Sequence, residues 1–199
     1  MAFKVKKKNP LWSPMVIFMP LALIFGIIGF LRNLLYDKKV IRPVRFAIPT
    51  IGVGNLAVGG TGKSPHIEYL AKILSPYIEV ASLSRGYGRK TTGTLEVMGN
   101  SSSYHVGDEP LVLKMKFPNI GVFVGSNRAF AVPELVGKRP QTNVVLLDDV
   151  FQHRSVEVFE NMLLTEYNLP FYQDFLLPVG ALRELPSGAK RANTIIVTK

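Results

Sequence analysis

Eight consecutive residues, Ala57-Val58-Gly59-Gly60-Thr61-Gly62-Lys63-Ser64, leave this chain few folds to choose from. They follow an apolar stretch, residues 47–53, that reads as a buried strand, and they open a helical pattern over residues 67–74. Strand, glycine-rich loop, Gly-Lys-Ser and helix in that order define a phosphate-binding loop. Glycines let backbone N–H groups crowd around an anion with no Cβ in the way. The helix that follows aims its N-terminal donors at the same anion. On this reading residues 57–64 cradle a nucleoside triphosphate such as ATP. Lys63 reaches its β/γ-phosphates and the Ser64 hydroxyl holds Mg²⁺. Pro65 falls in the first helical turn, where its missing N–H costs little. Ala57 stands where the pattern usually has Gly.

The rest of the chain alternates in the way such a loop requires. Residues 78–83, 120–124, 144–147 and 194–197 are short apolar runs rich in β-branched side chains, the pattern of buried strands. Residues 109–117 and 127–136 between them read as helices, and residues 99–103 as a loop. This alternation predicts an α/β fold of the P-loop NTPase kind: a mostly parallel sheet with helices on both faces.

Three further clusters carry chemistry. Val144-Val145-Leu146-Leu147 ends in Asp148 and Asp149. In P-loop proteins such a strand lies beside the phosphate loop and its acids support Mg²⁺. Ser84-Arg85-Gly86-Tyr87-Gly88-Arg89 suits a loop closing on phosphate or sugar. Gly107-Asp108-Glu109-Pro110 reads as a helix start with Asp108 at the N-cap. Asp108 is equally suited to act as a general base, and the residues alone leave both roles open. His66, His105 and His153 lack metal-site spacing. His153, four residues after Asp149, is placed to approach the acids, whereas His66 reads as a helix-surface or packing residue.

Residues 11–31 contain no charged side chain and are long enough for a membrane helix. The formal charge of +10 is concentrated around this segment, in Lys4, Lys6, Lys7 and Lys8 before it and Arg32, Lys38, Lys39, Arg42 and Arg45 after it. Basic residues flanking an apolar segment face anionic lipid, so membrane lipid is the expected partner and nucleic acid is not. With both flanks basic, and with Pro14 and Pro20 in the first turns, insertion into one leaflet is favoured over a full span. The chain divides into a basic N-terminus and anchor helix (residues 1–35), a basic linker (36–45) and a P-loop core (46–199). The absence of cysteine excludes disulfides and thiolate metal sites.

Taken in order, Gly54-Asn55 with Gly59–Pro65, Ser84–Gly88, Gly107–Pro110, Asp148-Asp149-Val150-Phe151-Gln152-His153-Arg154 and Leu176–Glu184 closely resemble the tetraacyldisaccharide 4'-kinase family of lipid A biosynthesis. The resemblance implies transfer of the γ-phosphate of ATP to the 4'-hydroxyl of a lipid A disaccharide precursor at the cytoplasmic face of the inner membrane. It also implies Asp108 as catalytic base, Lys63 and Ser64 at the phosphates and Mg²⁺, and Asp148 and Asp149 near the metal. Ser64 replaces the family's Thr and keeps its hydroxyl. Val150 replaces a Gly, so the turn after the acids is expected to change. Family members continue past a strand like 194–197 into a smaller C-terminal domain that supplies a histidine partner for the base. A fragment or truncated product is therefore expected. Two other readings remain: a membrane-tethered nucleotide-binding module without catalysis, and an NTPase that hydrolyses ATP without an acceptor.

Overall fold

The computed structural model describes residues 17–198. Lys4 to Lys8, Pro14 and the first part of the expected membrane segment lie outside them. Helix α1 (Met19–Asp37) opens the described chain, with Pro20 in its first turn. It runs well beyond Leu31 and past the boundary expected at residue 35. Among the described residues it is the one helix long and apolar enough to cross a membrane. Its apolar side chains are mostly exposed, Leu23, Ile24, Ile28 and Leu31 each by half or more.

The core is a seven-stranded sheet. Its strands are β2 (Thr50–Asn55), β3 (Val80–Ser84), β4 (Leu95–Glu96), β5 (Gly121–Val124), β6 (Val144–Asp148), β8 (Glu160–Glu166) and β9 (Thr194–Thr198), in the order β4-β5-β3-β6-β2-β8-β9. Every pairing is parallel except that of β4 with β5. Central strands β3, β5 and β6 are buried along almost their whole length, as strands covered on both faces must be. Strands β1 (Val44–Arg45) and β7 (Val156–Glu157) form a separate parallel pair.

Helices α2 (Lys63–Leu74) and α4 (Asp108–Lys116) cover one face. Ile67, Leu70, Ala71 and Leu113 join Val53, Val122, Val124, Val144 and Leu146 in one core. Helix α5 (Arg128–Lys138) covers the other, where Ala131, Val132 and Leu135 meet Leu83, Phe123, Val145 and Leu147. Full burial of each such Val or Leu contributes about 1.5–3 kcal/mol. The short helix α3 (Ser103–Val106) takes the last residue of the expected 99–103 loop, with Ser102 as its cap.

Three expectations shift, the first being that residues 194–197, read as a buried strand, belong to the mostly exposed edge strand β9. The strand expected at 47–53 begins at Thr50, because Phe46 and Ile48 pack as side chains against the α5 core rather than entering the ladder. Strand β8 was not expected: Glu160, Asn161 and Glu166 break its apolar pattern at both ends, while its buried centre, Leu163 and Leu164, pairs with β2.

Candidate nucleotide and metal site

The phosphate loop leaves β2 at its C-terminal edge, and β6 lies alongside with Val53 paired to Asp148. This register brings the loop and the two acids together. Gly59 (φ 119°) and Gly62 (φ 88°) occupy left-handed backbone that other residues adopt at a cost, and Gly62 directly precedes α2. The His66 ring faces the Gly62 carbonyl at 2.8 Å. A carbonyl only accepts, so Nδ1 carries the proton and ties the loop to its own helix.

Asn55, fully buried at the end of β2, knits the loop together. Its Nδ2 donates to Thr61 Oγ1 at 2.9 Å, and its Oδ1 accepts from Lys63 Nζ at 3.2 Å. The same Oδ1 accepts from the Arg183 guanidinium. Arg183 in turn grips both oxygens of Asp149, at 3.0 and 2.8 Å, and Lys63 Nζ lies 3.6 Å from Asp149. Burial by itself would raise the Asp149 carboxyl. The Arg183 hydrogen bonds and charge, with Lys63, outweigh it and hold the group below the usual carboxylate range. Asp149 adopts φ 48° to make this turn.

Asp148 is held differently. Its carbonyl accepts from the buried Arg128 at 2.9 Å, but its carboxylate Oδ1 is buried with no hydrogen-bond partner. Burial, then the charges of Asp149 and Glu109, push it up to about 6. Burial lowers Arg128 to about 10, still a cation at neutral pH. His153 is pushed down to about 4 by burial and then by the Arg128 charge, while the field of Asp149 acts the other way. It is therefore a neutral imidazole within electrostatic reach of the acids, as its spacing suggested.

Asp108 is the first residue of α4, not its N-cap; Gly107, at φ 88°, holds that position and has no side chain to offer. The Asp108 carboxylate is exposed, and among the described residues it makes no hydrogen bond. Its neighbour Glu109 instead reaches the phosphate loop, accepting from Ser64 Oγ at 2.5 Å. Ser64, Ser82, Ser84, Glu109 and Asp148 line one pocket.

A divalent cation fits this pocket. The unpartnered Asp148 carboxylate and the Ser64 hydroxyl are oxygen donors of the kind Mg²⁺ takes. Among the described residues no three acidic or histidine side chains form a cage of their own. Asn55, Glu109 and Arg183 sit in motifs noted in the sequence but were given no role there, whereas Arg128 carries no local signal.

A parallel sheet with a phosphate loop at the end of β2 and acids at the end of the adjoining β6 defines a P-loop nucleotide-binding domain. A family model for LpxK, tetraacyldisaccharide-1-P 4'-kinase, matches residues 15–199, and the chain belongs to that family. It is 49% identical over 180 residues to the tetraacyldisaccharide 4'-kinase of Flavobacterium psychrophilum, covering 90% of this chain and 52% of the relative. With the Porphyromonas gingivalis (strain W83) protein of the same name the identity is 44%, over 90% and 51%. A crystal structure of LpxK from Aquifex aeolicus in complex with ATP superposes with a TM-score of 0.84 at 35% identity, covering 92% of this chain and 58% of that one. The chain thus spans about half the length of the curated relatives it matches.

Proposed function

We propose that this chain holds the nucleotide-binding core and membrane anchor of a lipid A 4'-kinase. The reaction moves the γ-phosphate of ATP to the 4'-hydroxyl of a tetraacyldisaccharide 1-phosphate at the cytoplasmic face of the inner membrane. The reading is carried by one observation: a braced phosphate loop whose Ser64 shares a pocket with an unpartnered, buried Asp148 oxygen. The family and the ATP-bound relative support it.

Residues 57–64 would wrap the phosphates, with Lys63 exchanging Asn55 and Asp149 for β/γ-oxygens. Ser64 and Asp148 would hold Mg²⁺, with Asp149 beside them. The metal supplies charge neutralisation of the phosphoryl oxygens during transfer. Asp108, exposed and uncommitted at the start of α4, would take the hydroxyl proton. The acceptor oxygen bonds the γ-phosphorus as the bond from that phosphorus to the bridging oxygen of ADP breaks. The exposed apolar face of α1 and the basic residues at its end would hold the domain on anionic lipid.

The test is γ-labelled ATP with tetraacyldisaccharide 1-phosphate, using a version extended to the length of the relatives, beside Mg-ATP binding by the chain itself. Label on the lipid is the expected result. Label only in inorganic phosphate would make the protein an NTPase, and absence of nucleotide binding would remove the phosphate-loop reading.

A further inference from the structure

Helix α1 is built into the support of the phosphate loop. Within it Ala22 and Gly26 are buried and Gly29, Asn33 and Tyr36 partly so, a single stripe at heptad spacing, and its other residues are exposed. The stripe is small toward the N-terminus, where a Cβ on Gly26 would lie 2.6 Å from Leu176 Cδ1. Near the C-terminal end it becomes polar. Asn33 Nδ2 donates to Glu184 Oε2 at 3.0 Å. Arg154 donates to the Asn33 carbonyl at 2.8 Å and to Asp37 at 2.7 Å.

Glu184 is the hub of this joint. Its side chain is 6% exposed and its oxygens also accept from Arg191, at 2.8 Å each, and from Gln152 Nε2 at 3.2 Å. The second proton of Gln152 Nε2 goes to the carbonyl of Asn55 at 2.8 Å. Asn55 is the residue that holds Lys63 and Thr61. An unbroken series of hydrogen bonds therefore runs from Asn33 through Glu184 and Gln152 to the phosphate loop. A buried, fully partnered carboxylate rigidifies what it joins, because any alternative arrangement leaves a charge unpaired in a poorly solvated place.

We propose that Glu184 is a positioning residue that fixes the phosphate loop at one height and tilt above the bilayer. The proposal rests on the membrane attachment given above. An acceptor held in the bilayer by acyl chains presents its hydroxyl at a set height. An anchor on a flexible tether would lose that alignment, and misplacement by about 1 Å can cost 100-fold in rate.

The chain has no cysteine, so Ile24→Cys and Tyr77→Cys, both exposed, can be spin-labelled cleanly. The distance between them is measured by pulsed electron resonance on vesicles of phosphatidylethanolamine and phosphatidylglycerol. A single narrow distribution is expected. Glu184→Ala and Asn33→Ala should broaden it, while vesicle cosedimentation stays within about twofold, since the exposed apolar face is the same in both. Glu184→Gln keeps an acceptor for Asn33 but turns an amide N–H₂ toward the Gln152 and Arg191 donors, so it should broaden the distribution less than Glu184→Ala. If Glu184→Ala fails to fold, Asn33→Ala alone decides. A broad distribution in the bound parent protein, or a narrow one in the folded alanine variants, overturns the proposal alone. Failure of the parent to cosediment with vesicles overturns the anchoring reading and the proposal with it.

Discussion

The phosphate loop and the start of α4 meet at one side-chain hydrogen bond, Ser64 to Glu109, and are held in opposite ways. On the loop side Asn55, Thr61, Lys63, Asp149 and Arg183 hold one another through charged and neutral bonds. On the α4 side Asp108 and Glu109 are exposed, and Asp108 has no partner among the described residues. The braced side suits a triphosphate, whose oxygens carry charge throughout and for which preorganised donors are worth most. The open side suits an acceptor that must approach and leave.

The comparison can be broken most directly at Lys63. Lys63→Ala removes the loop's cation and leaves Asp149 and Asn55 facing the phosphates, so ATP binding should fall below detection by calorimetry. Retained affinity would mean that the bracing serves the fold alone. The other side is probed by Asp108→Asn in a version extended to the relatives' length. Turnover should fall about 10²- to 10⁴-fold with ATP affinity unchanged. Since Asp108 makes no capping bond, the change should leave thermal stability where it was. Full turnover would send the search for a base to Asp149 or His153.

Between the two sides stands Asp148, which gives a sharper test through pH. Its folded value of about 6 lies above its ordinary 3.8, so below pH 6 a cation must displace a proton to bind there. Affinity for Mg-nucleotide should therefore weaken up to about tenfold for each unit that pH falls below 6, and Asp148→Asn should flatten that dependence. Without metal the sign reverses. The raised value favours the folded protein while the group is protonated, and that advantage is lost as pH climbs from about 4 to about 6. Mg-ATP should restore the loss. The smallest expected effect lies at the helix joint. Gly26→Ala meets only the flexible end of Leu176, so it should cost about 1 kcal/mol, or roughly 2–4 °C in melting temperature.

Much of the sheet could be read from the chain because its central strands are buried on both faces and therefore spelled in Val, Ile and Leu. Strand β8 could not, since Glu160 bonds outward to Thr194 and its buried centre is only a few residues long. The phosphate loop was legible because its chemistry is local, eight residues in sequence doing one task. Glu109 and Arg183 were not, because their roles arise from contacts spanning 45 and 34 residues, to Ser64 and Asp149. The N-cap role of Asp108 failed by a single residue: Gly107, with positive φ, supplies the turn that a capping side chain would otherwise stabilise.

The turn after the acids is coupled by packing to the strand that carries the phosphate loop. Val150 is buried, and its Cγ1 occupies space that a Cβ on Gly52 would fill, 2.6 Å away, with Val158 Cγ1 at 3.0 Å. Gly52→Ala in this background would overpack the core by about 1–3 kcal/mol, whereas with glycine at 150 the main obstacle would be gone. The two sites are therefore epistatic. With Val150 in place, any side chain at position 52 carries that cost, and shrinking residue 150 first would remove most of it.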